Sequence, residues 1–412
     1  MLQIRLDTKY RSLLLGVSGD LLVLGYFLFA VRIYRASRYA NDPSEAGMVR
    51  AIVLDPGNAE YHSRLGRYYF YVLQDPVRAA AEYRLSARLN RYNADSWLDL
   101  VATYEVLDER SEQDEAVAAA YRDGPRTPDV LWSVCNLYLV RGDISDALPL
   151  LKRVLEIWAD SDWGRMNSAL NAGWRATNNV KLLLSSALPA RVDVHAAFLD
   201  MLVANGALDS ADAVWMRIVQ LDQPIDPHLI FSYVDALLQQ ERTSEAKHLW
   251  STLRKLKRNP DEMGADQELM VNGGFEEPVL NGGMDWRMHP PPGVSVSADS
   301  DQFHGGALSL RVTCEGEPFA DAGVYQCVPV EPHKRYRFDG YIKAEDVFSR
   351  SGLPFLVKDA QDGTQYILGE DVMGTTYWRA SADSFTAGAS THLLMVSLIR
   401  EQPPATLRGR SG

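Results

Sequence analysis

Cys314 and Cys327 are the two side chains of this 412-residue chain whose placement suggests a reaction with each other. They flank a Gly/Pro-containing turn between two strand-like runs, Ala307 to Thr313 and Val324 to Val330. Either they approach across neighbouring strands and form a disulfide, or they remain two separate buried thiols. A disulfide needs Cα atoms about 5.5–6 Å apart and an oxidising compartment. Cys135, the third cysteine, falls on an apolar position of a helical pattern, where a small buried hydrophobe is expected. The eight histidines form no metal-like pair. No phosphate-binding glycine loop, Gly-x-Ser-x-Gly elbow or His-Glu-x-x-His occurs. Carboxylates are plentiful, but a glycosidase pair meets only in three dimensions. The expectation is a chain that binds rather than reacts, and not an enzyme.

Its charge narrows what it binds. With 54 acidic against 42 basic side chains the net charge is -12, so a nucleic-acid backbone would be repelled overall and no nucleic-acid partner is expected.

Three kinds of element must carry whatever binding there is. Ser12 to Val31 holds seven Leu, three Val and two Phe in twenty residues, the length of a bilayer-spanning helix. On the insertion scale those twelve residues contribute about -4 to -7 kcal/mol against about +2.5 to +3.5 for its single charge, Asp20, so the segment should insert. Arg32, Arg35 and Arg38 follow at once and read as a stop-transfer flank rather than a signal-peptide cleavage region. Asp20 either pairs with a partner inside the membrane or is tolerated with a local water defect. Arg5, Lys9 and Arg11 on the other side nearly balance the flanking charge, so orientation is left open.

From about Asn58 to Arg258 amphipathic helical segments of twelve to fifteen residues alternate with Gly, Asn, Asp or Pro punctuation, with self-similarity at a period in the thirties. His62, Leu65, Gly66 and Tyr69 are followed by Ala79 and Tyr83; Trp97, Leu100 and Tyr104 by Ala116 and Ala120; Trp132 and Leu139 by Ala147 and Leu151. Large residues on one helix and a small one on the next let two backbones approach and stack. These spacings resemble the tetratricopeptide repeat, with five or six units and a weaker match between Asp160 and Ala190. The resemblance implies a protein-binding platform, and Tyr68, Arg84 and Arg88 are candidates to line its groove.

A Pro/Gly-punctuated linker at 259–267 precedes short alternating runs from Glu268 onward. Asn272-Gly273-Gly274-Phe275-Glu276, Met284-Asp285-Trp286, Gly305-Gly306-Ala307-Leu308, Tyr325-Gln326-Cys327-Val328 and Tyr336-Arg337-Phe338 occur in the order found in galactose-binding-like jelly rolls. They are similar to the carbohydrate-binding modules that accompany bacterial glycanases. Phe275 and Trp286 are expected to fill the space between sheets. The resemblance implies sugar binding through exposed rings, with Tyr325, Tyr366, Tyr377 and Trp378 as the candidates. It also implies a structural calcium in many relatives, for which Glu276 alone is a weak candidate because that ion takes 6–8 oxygen ligands; otherwise no cofactor is expected. The closing strand with its acidic end is expected to be missing or shortened.

The expected fold class is multidomain: residues 1–40 with a single transmembrane helix at about 12–31, an all-α tetratricopeptide-like solenoid over 41–258, and an all-β jelly-roll sandwich over 268–412. The expected function is a membrane-anchored, non-catalytic scaffold that binds other proteins, in a bacterial polysaccharide assembly or export apparatus with its body in the periplasm. The alternative is a glycan receptor acting through the jelly roll, with polysaccharide as partner; an enzyme acting on glycans is a distant third.

Overall fold

The computed structural model describes residues 8–123, 126–256, 268–315, 319–348 and 351–400. The linker at 259–267 and the tail beyond Arg400 lie outside the described residues. The chain divides into two compact units, residues 1–178 and 179–412, so the division falls within the helical stretch and the last helices group with the strands.

The first unit opens with one continuous helix, α1 (Thr8–Ala40), whose described side chains from Gly16 to Val31 are all exposed. It is followed by α2 (Glu45–Leu54), α3 (Ala59–Arg67), a π-helical turn at Tyr68–Val72, and α4 (Pro76–Leu89). Then come α5 (Ala94–Leu107), α6 (Arg110–Asp123), α7 (Pro128–Arg141), α8 (Ile144–Trp158) and α9 (Trp163–Thr177). Helix starts are set by side-chain caps: Asn58 accepts from the Glu60 amide, Asn93 from the Asp95 amide and Asp75 from the Arg78 amide. Gly142 ends α7 at φ +82°, a left-handed conformation that glycine adopts without a Cβ clash.

Each helix packs on the next as an antiparallel hairpin, and α5 also touches α7 while α7 touches α9. The repeat positions read from the sequence are the contacts that hold them. Leu65, Tyr69, Ala79, Tyr83, Leu100, Tyr104, Ala116, Ala120, Ala147 and Leu151 are all buried. At Gly66 a Cβ would stand 2.7 Å from the Tyr83 ring, so only glycine lets α3 and α4 close together. The first hairpin differs from expectation, because α1 itself supplies one arm. Its last turns bury Ala36 and Ala40 against Ala51 of α2 and Tyr61 of α3.

The second unit holds α10 (Val180–Ser186), α11 (Val192–Ala204), α12 (Leu208–Leu221), a 3-10 turn at Pro227–Ile230, α13 (Phe231–Gln239) and α14 (Thr243–Leu256). The weak repeat match before Ala190 has a physical cause: α10 is only seven residues long and is followed within three residues by Pro189.

The strands are β1 (Arg287–Met288), β2 (Val294–Asp299), β3 (Ser309–Cys314), β4 (Asp321–Pro329), β5 (Arg335–Ile342), β6 (Phe355–Asp359), β7 (Gln365–Leu368), β8 (Arg379–Thr386) and β9 (Leu393–Ile399). An antiparallel sheet has the order β1-β4-β9-β6-β7, and two ribbons pair β2 with β3 and β5 with β8. Trp286, Val324, Val328, Val357 and Val396 meet Phe338 of the β5–β8 ribbon in one core, with the Phe275 ring stacked on Trp286 at 4.9 Å. The buried Gln326 side chain accepts from the Val271 amide at 3.1 Å and donates to the Val271 carbonyl at 2.7 Å, so segment 269–271 is pinned as if it were a strand.

The last strand described, β9, has seven residues and lies between β4 and β6. The acidic end of the closing strand, expected to be missing or shortened, falls beyond Arg400, outside the described residues. Cys314 and Cys327 are both free, because they end in different sheets, Cys314 exposed on β3 and Cys327 half-buried on β4, where burial pushes its thiol up.

Candidate functional site

Strand alternation decides which rings can face a ligand. On β5 the residues Tyr336, Phe338 and Gly340 point inward, and a Cβ at Gly340 would stand 2.7 Å from the Phe355 ring. Arg337, Asp339 and Tyr341 therefore share the outer face, where Arg337 donates to the Asp339 carboxylate at 2.8 Å. Tyr341 is 46 % exposed, and the imidazole of His304 lies parallel to it with ring centroids 3.6 Å apart. Trp378, preceding β8, meets the same imidazole edge-on at 5.9 Å. Tyr377 beside it is 91 % exposed.

The loop that delivers His304 is held from both ends. Asp299 accepts from the amides of Asp301 and Gln302 at 2.8 and 3.2 Å, and these bonds hold its carboxyl below the usual range. Ser309 Oγ donates to the Gln302 carbonyl at 2.5 Å, and Lys343 Nζ donates to Gln302 Oε1 at 2.5 Å. Glu276 accepts from the Ala307 amide at 2.9 Å and from the Leu308 amide at 3.2 Å. A Cβ at Gly306, where φ is +74°, would collide with that carboxylate. The arrangement offers apolar ring faces bordered by amide, ammonium and carboxylate groups, which is the chemistry that covers a sugar ring and bonds its hydroxyls.

The four expected rings separate. Trp378 stands in this cluster, while Tyr377, its neighbour in sequence, is exposed. Tyr366 does not belong to it: its hydroxyl is 2.6 Å from Thr391 Oγ1 and accepts from the Gly388 amide at 2.9 Å, while its ring stacks on Phe385 at 5.0 Å against the core. It packs the sheet rather than presenting a face. Tyr325 is half-buried on the opposite, outer side of β4, paired in register with Arg287. Arg287 donates to the Asp235 carboxylate of α13 at 3.2 Å, with a second contact between the same groups, and to the Gly283 carbonyl at 2.9 Å. Gly282 and Gly283 lie so close to Phe231 and Trp250 that a Cβ at either would clash. The β1–β4 edge is thus seated on α13 and α14, and Tyr325 belongs to that junction.

Glu276, the weak calcium candidate, accepts backbone amides with both of its oxygens. Among the described residues no group of three or more His, Cys, Asp or Glu side chains is placed to hold a metal ion. The expected groove residues fall on two helices, with Arg84 and Arg88 one turn apart on α4. Tyr68 ends the first helix of its hairpin, whereas Arg84 and Arg88 belong to the second. Arg84 donates to the Tyr104 hydroxyl at 2.5 Å and lies 5.3 Å over that ring, so it ties α4 to α5. Arg88 is exposed.

The strand order, the filled core and the exposed rings point to one class of module. Residues 267–403 match the carbohydrate binding domain family. This carbohydrate-binding domain is about a third of the chain, and the helices before it are tetratricopeptide-like. Among solved structures, the chain resembles a tetratricopeptide repeat protein from Parabacteroides merdae at 14% identity and a TM-score of 0.30, covering 57% of this chain and 94% of that one. YrrB, a tetratricopeptide protein with an unusual peptide-binding site, has 14% identity and a TM-score of 0.26, over 53% of this chain and 96% of that one. Yeast Tom70 has 16% identity and a TM-score of 0.29; 54% of this chain is covered, and it spans 50% of the Tom70 chain. No curated protein matches the chain. The repeat architecture accordingly rests on the hairpins and on the Gly66–Tyr83 packing already described.

Proposed function

We propose that the chain is a membrane-tethered, non-catalytic scaffold that joins a protein partner, held by the helical hairpins, to a polysaccharide, held by the carbohydrate-binding domain. The observation that carries this reading is the ring cluster of His304, Tyr341 and Trp378, with the exposed Tyr377 next in sequence, on a module that matches that family. Seating of the domain on α13 and α14 supports its being a fixed part of the scaffold, since Arg287, Gly282 and Gly283 are committed to that contact.

The exposed apolar face of α1 supports a tether, and a glycan ligand supports a body outside the cytoplasm, in the periplasm of a bacterium. Polysaccharide assembly or export is the setting in which a membrane scaffold meets a glycan chain. Protease treatment of spheroplasts tests the side: cleavage of the helical region in intact spheroplasts is expected, and protection until lysis would contradict it. Binding of the full-length, detergent-solubilised protein to a glycan array tests the ligand, with retention expected for wild type and loss for Tyr341→Ala combined with Trp378→Ala.

A further inference from the structure

We propose that the loops between the first hairpins, Leu54–Asn58 and Leu89–Asn93, rest on the lipid surface around α1, with Val53, Leu89 and Tyr92 reaching into the headgroup layer. The inference rests on the reading of α1 as a membrane helix. Its geometry lies entirely in the first unit.

The last apolar residue of the span is Val31, and Arg32 follows it in the same unbroken helix. Chain direction then reverses: α2 packs antiparallel on the end of α1, and its ten residues return about 15 Å toward the bilayer. The return is registered by Arg32, whose guanidinium nitrogen donates to the Leu54 carbonyl. The loop after Leu54 is therefore level with the residue that ends the apolar span, where a cationic side chain reaches the headgroups.

The second loop lies beside the first. Ser86 Oγ donates to the Ala59 carbonyl at 2.8 Å and is 2.9 Å from Ser96 Oγ, so the end of α4 and the starts of α3 and α5 share one level. Asp55, Asn58, Leu89, Asn90 and Asn93 line one open groove of about 570 Å³ between the loops.

This end carries large apolar side chains that the described residues leave exposed: Val53 is 74 % exposed, Leu89 45 % and Tyr92 69 %. Arg91 lies over the Tyr92 ring at 4.8 Å and donates to its hydroxyl at 2.6 Å. An amphipathic ring with a cationic neighbour, level with the end of a membrane helix, is suited to the bilayer interface, where tyrosine is enriched. Asp55 and Glu60 at the same end disfavour a strongly anionic surface, so the occupant is a bilayer rich in zwitterionic headgroups.

The test uses the full chain with Cys314→Ser, which removes the exposed native thiol. Single cysteines are introduced as Tyr92→Cys and Val53→Cys, and as Val106→Cys at the opposite end of the hairpins, where Val106 is 62 % exposed. Labelling by a water-soluble maleimide is compared between detergent and nanodiscs of phosphatidylethanolamine with a minor share of phosphatidylglycerol. Severalfold slower labelling of Tyr92→Cys and Val53→Cys in nanodiscs is expected, with Val106→Cys unchanged. Equal rates at all three sites, in protein that resists alkaline extraction, would overturn the inference while leaving the membrane helix standing. Release of the chain by alkaline extraction would overturn the membrane reading itself.

Discussion

At the scale of single residues, phase along the strand separates rings that pack from rings that can bind. Tyr366 and Tyr341 are both tyrosines on strands, yet Tyr366 spends its hydroxyl on Thr391 and Gly388, while Tyr341 follows Arg337 and Asp339 in the polar phase of β5. That phase is visible in Arg335-Tyr336-Arg337-Phe338-Asp339-Gly340-Tyr341, so Tyr341 was legible as an outward ring; His304 was not, because its place depends on a loop folding across to β5. Replacing Tyr341 or Trp378 by Ala should weaken glycan binding by about 0.5–1.5 kcal/mol each and leave the melting temperature nearly unchanged, measurable by titration of whichever glycan the array retains. Trp286→Ala should instead cost about 3–5 kcal/mol of stability in chemical denaturation, since Trp286 is buried and its indole nitrogen donates to the Asn272 carbonyl at 3.0 Å. His195 gives a pH signature. Burial holds its pKa below the ordinary 6.5, aided by Arg217 and opposed by its bond to the Arg191 carbonyl and by Asp193. Protons then bind more readily to the unfolded chain, so its contribution is complete above about pH 6.5 and is lost as pH falls from there through the lower folded-state pKa. Melting temperature followed from neutral to mildly acid pH should fall more steeply in wild type than in His195→Gln; parallel curves would remove His195 as a cause.

At the scale of elements, long periodic segments were readable and short or tertiary-dependent ones were not. The strand-like runs at 294–298, 307–312, 324–330, 336–344, 355–359, 376–385 and 392–400 coincide closely with β2 to β6, β8 and β9, because alternation over five or more residues is a local signal. The two-residue β1 and four-residue β7 carry too few residues to alternate and exist through pairing with β4 and β6. Likewise the small residue at Gly66 was readable from its spacing to Tyr69 and Ala79, whereas the reason for it, the Tyr83 ring 2.7 Å from a would-be Cβ, needed the hairpin. Gly66→Ala should destabilise the helical region by about 1–3 kcal/mol through overpacking, seen as a lower denaturant midpoint with an unchanged slope. The seating of β1 on α13 was hidden entirely, since Asp235 and Arg287 lie 52 residues apart and neither stands in a recognisable motif. Arg287→Ala and Asp235→Ala should each cost about 1–3 kcal/mol, and the double variant should cost less than their sum, because removing one partner strands the other's half-buried charge. Additive losses in that cycle would mean the pair does not hold the junction.

At the scale of the whole molecule, the order of parts was legible: an apolar helix, then helical hairpins, then a β module, each with its own periodicity. What the sequence left open was how firmly the parts are joined. The apolar helix runs without a break into the first hairpin through Ala36 and Ala40, and the last helices share a compact unit with the strands. The central claim is that this scaffold holds a polysaccharide on the rings around Tyr341. It is tested most directly by applying the full-length, detergent-solubilised protein to a glycan array beside the Tyr341→Ala/Trp378→Ala double variant, with equal melting temperatures required of both. Retention of wild type on at least one class of polysaccharide, abolished or strongly reduced in the double variant, is the predicted result. Wild-type protein that retains no glycan, or a double variant that binds as wild type does, would contradict the account.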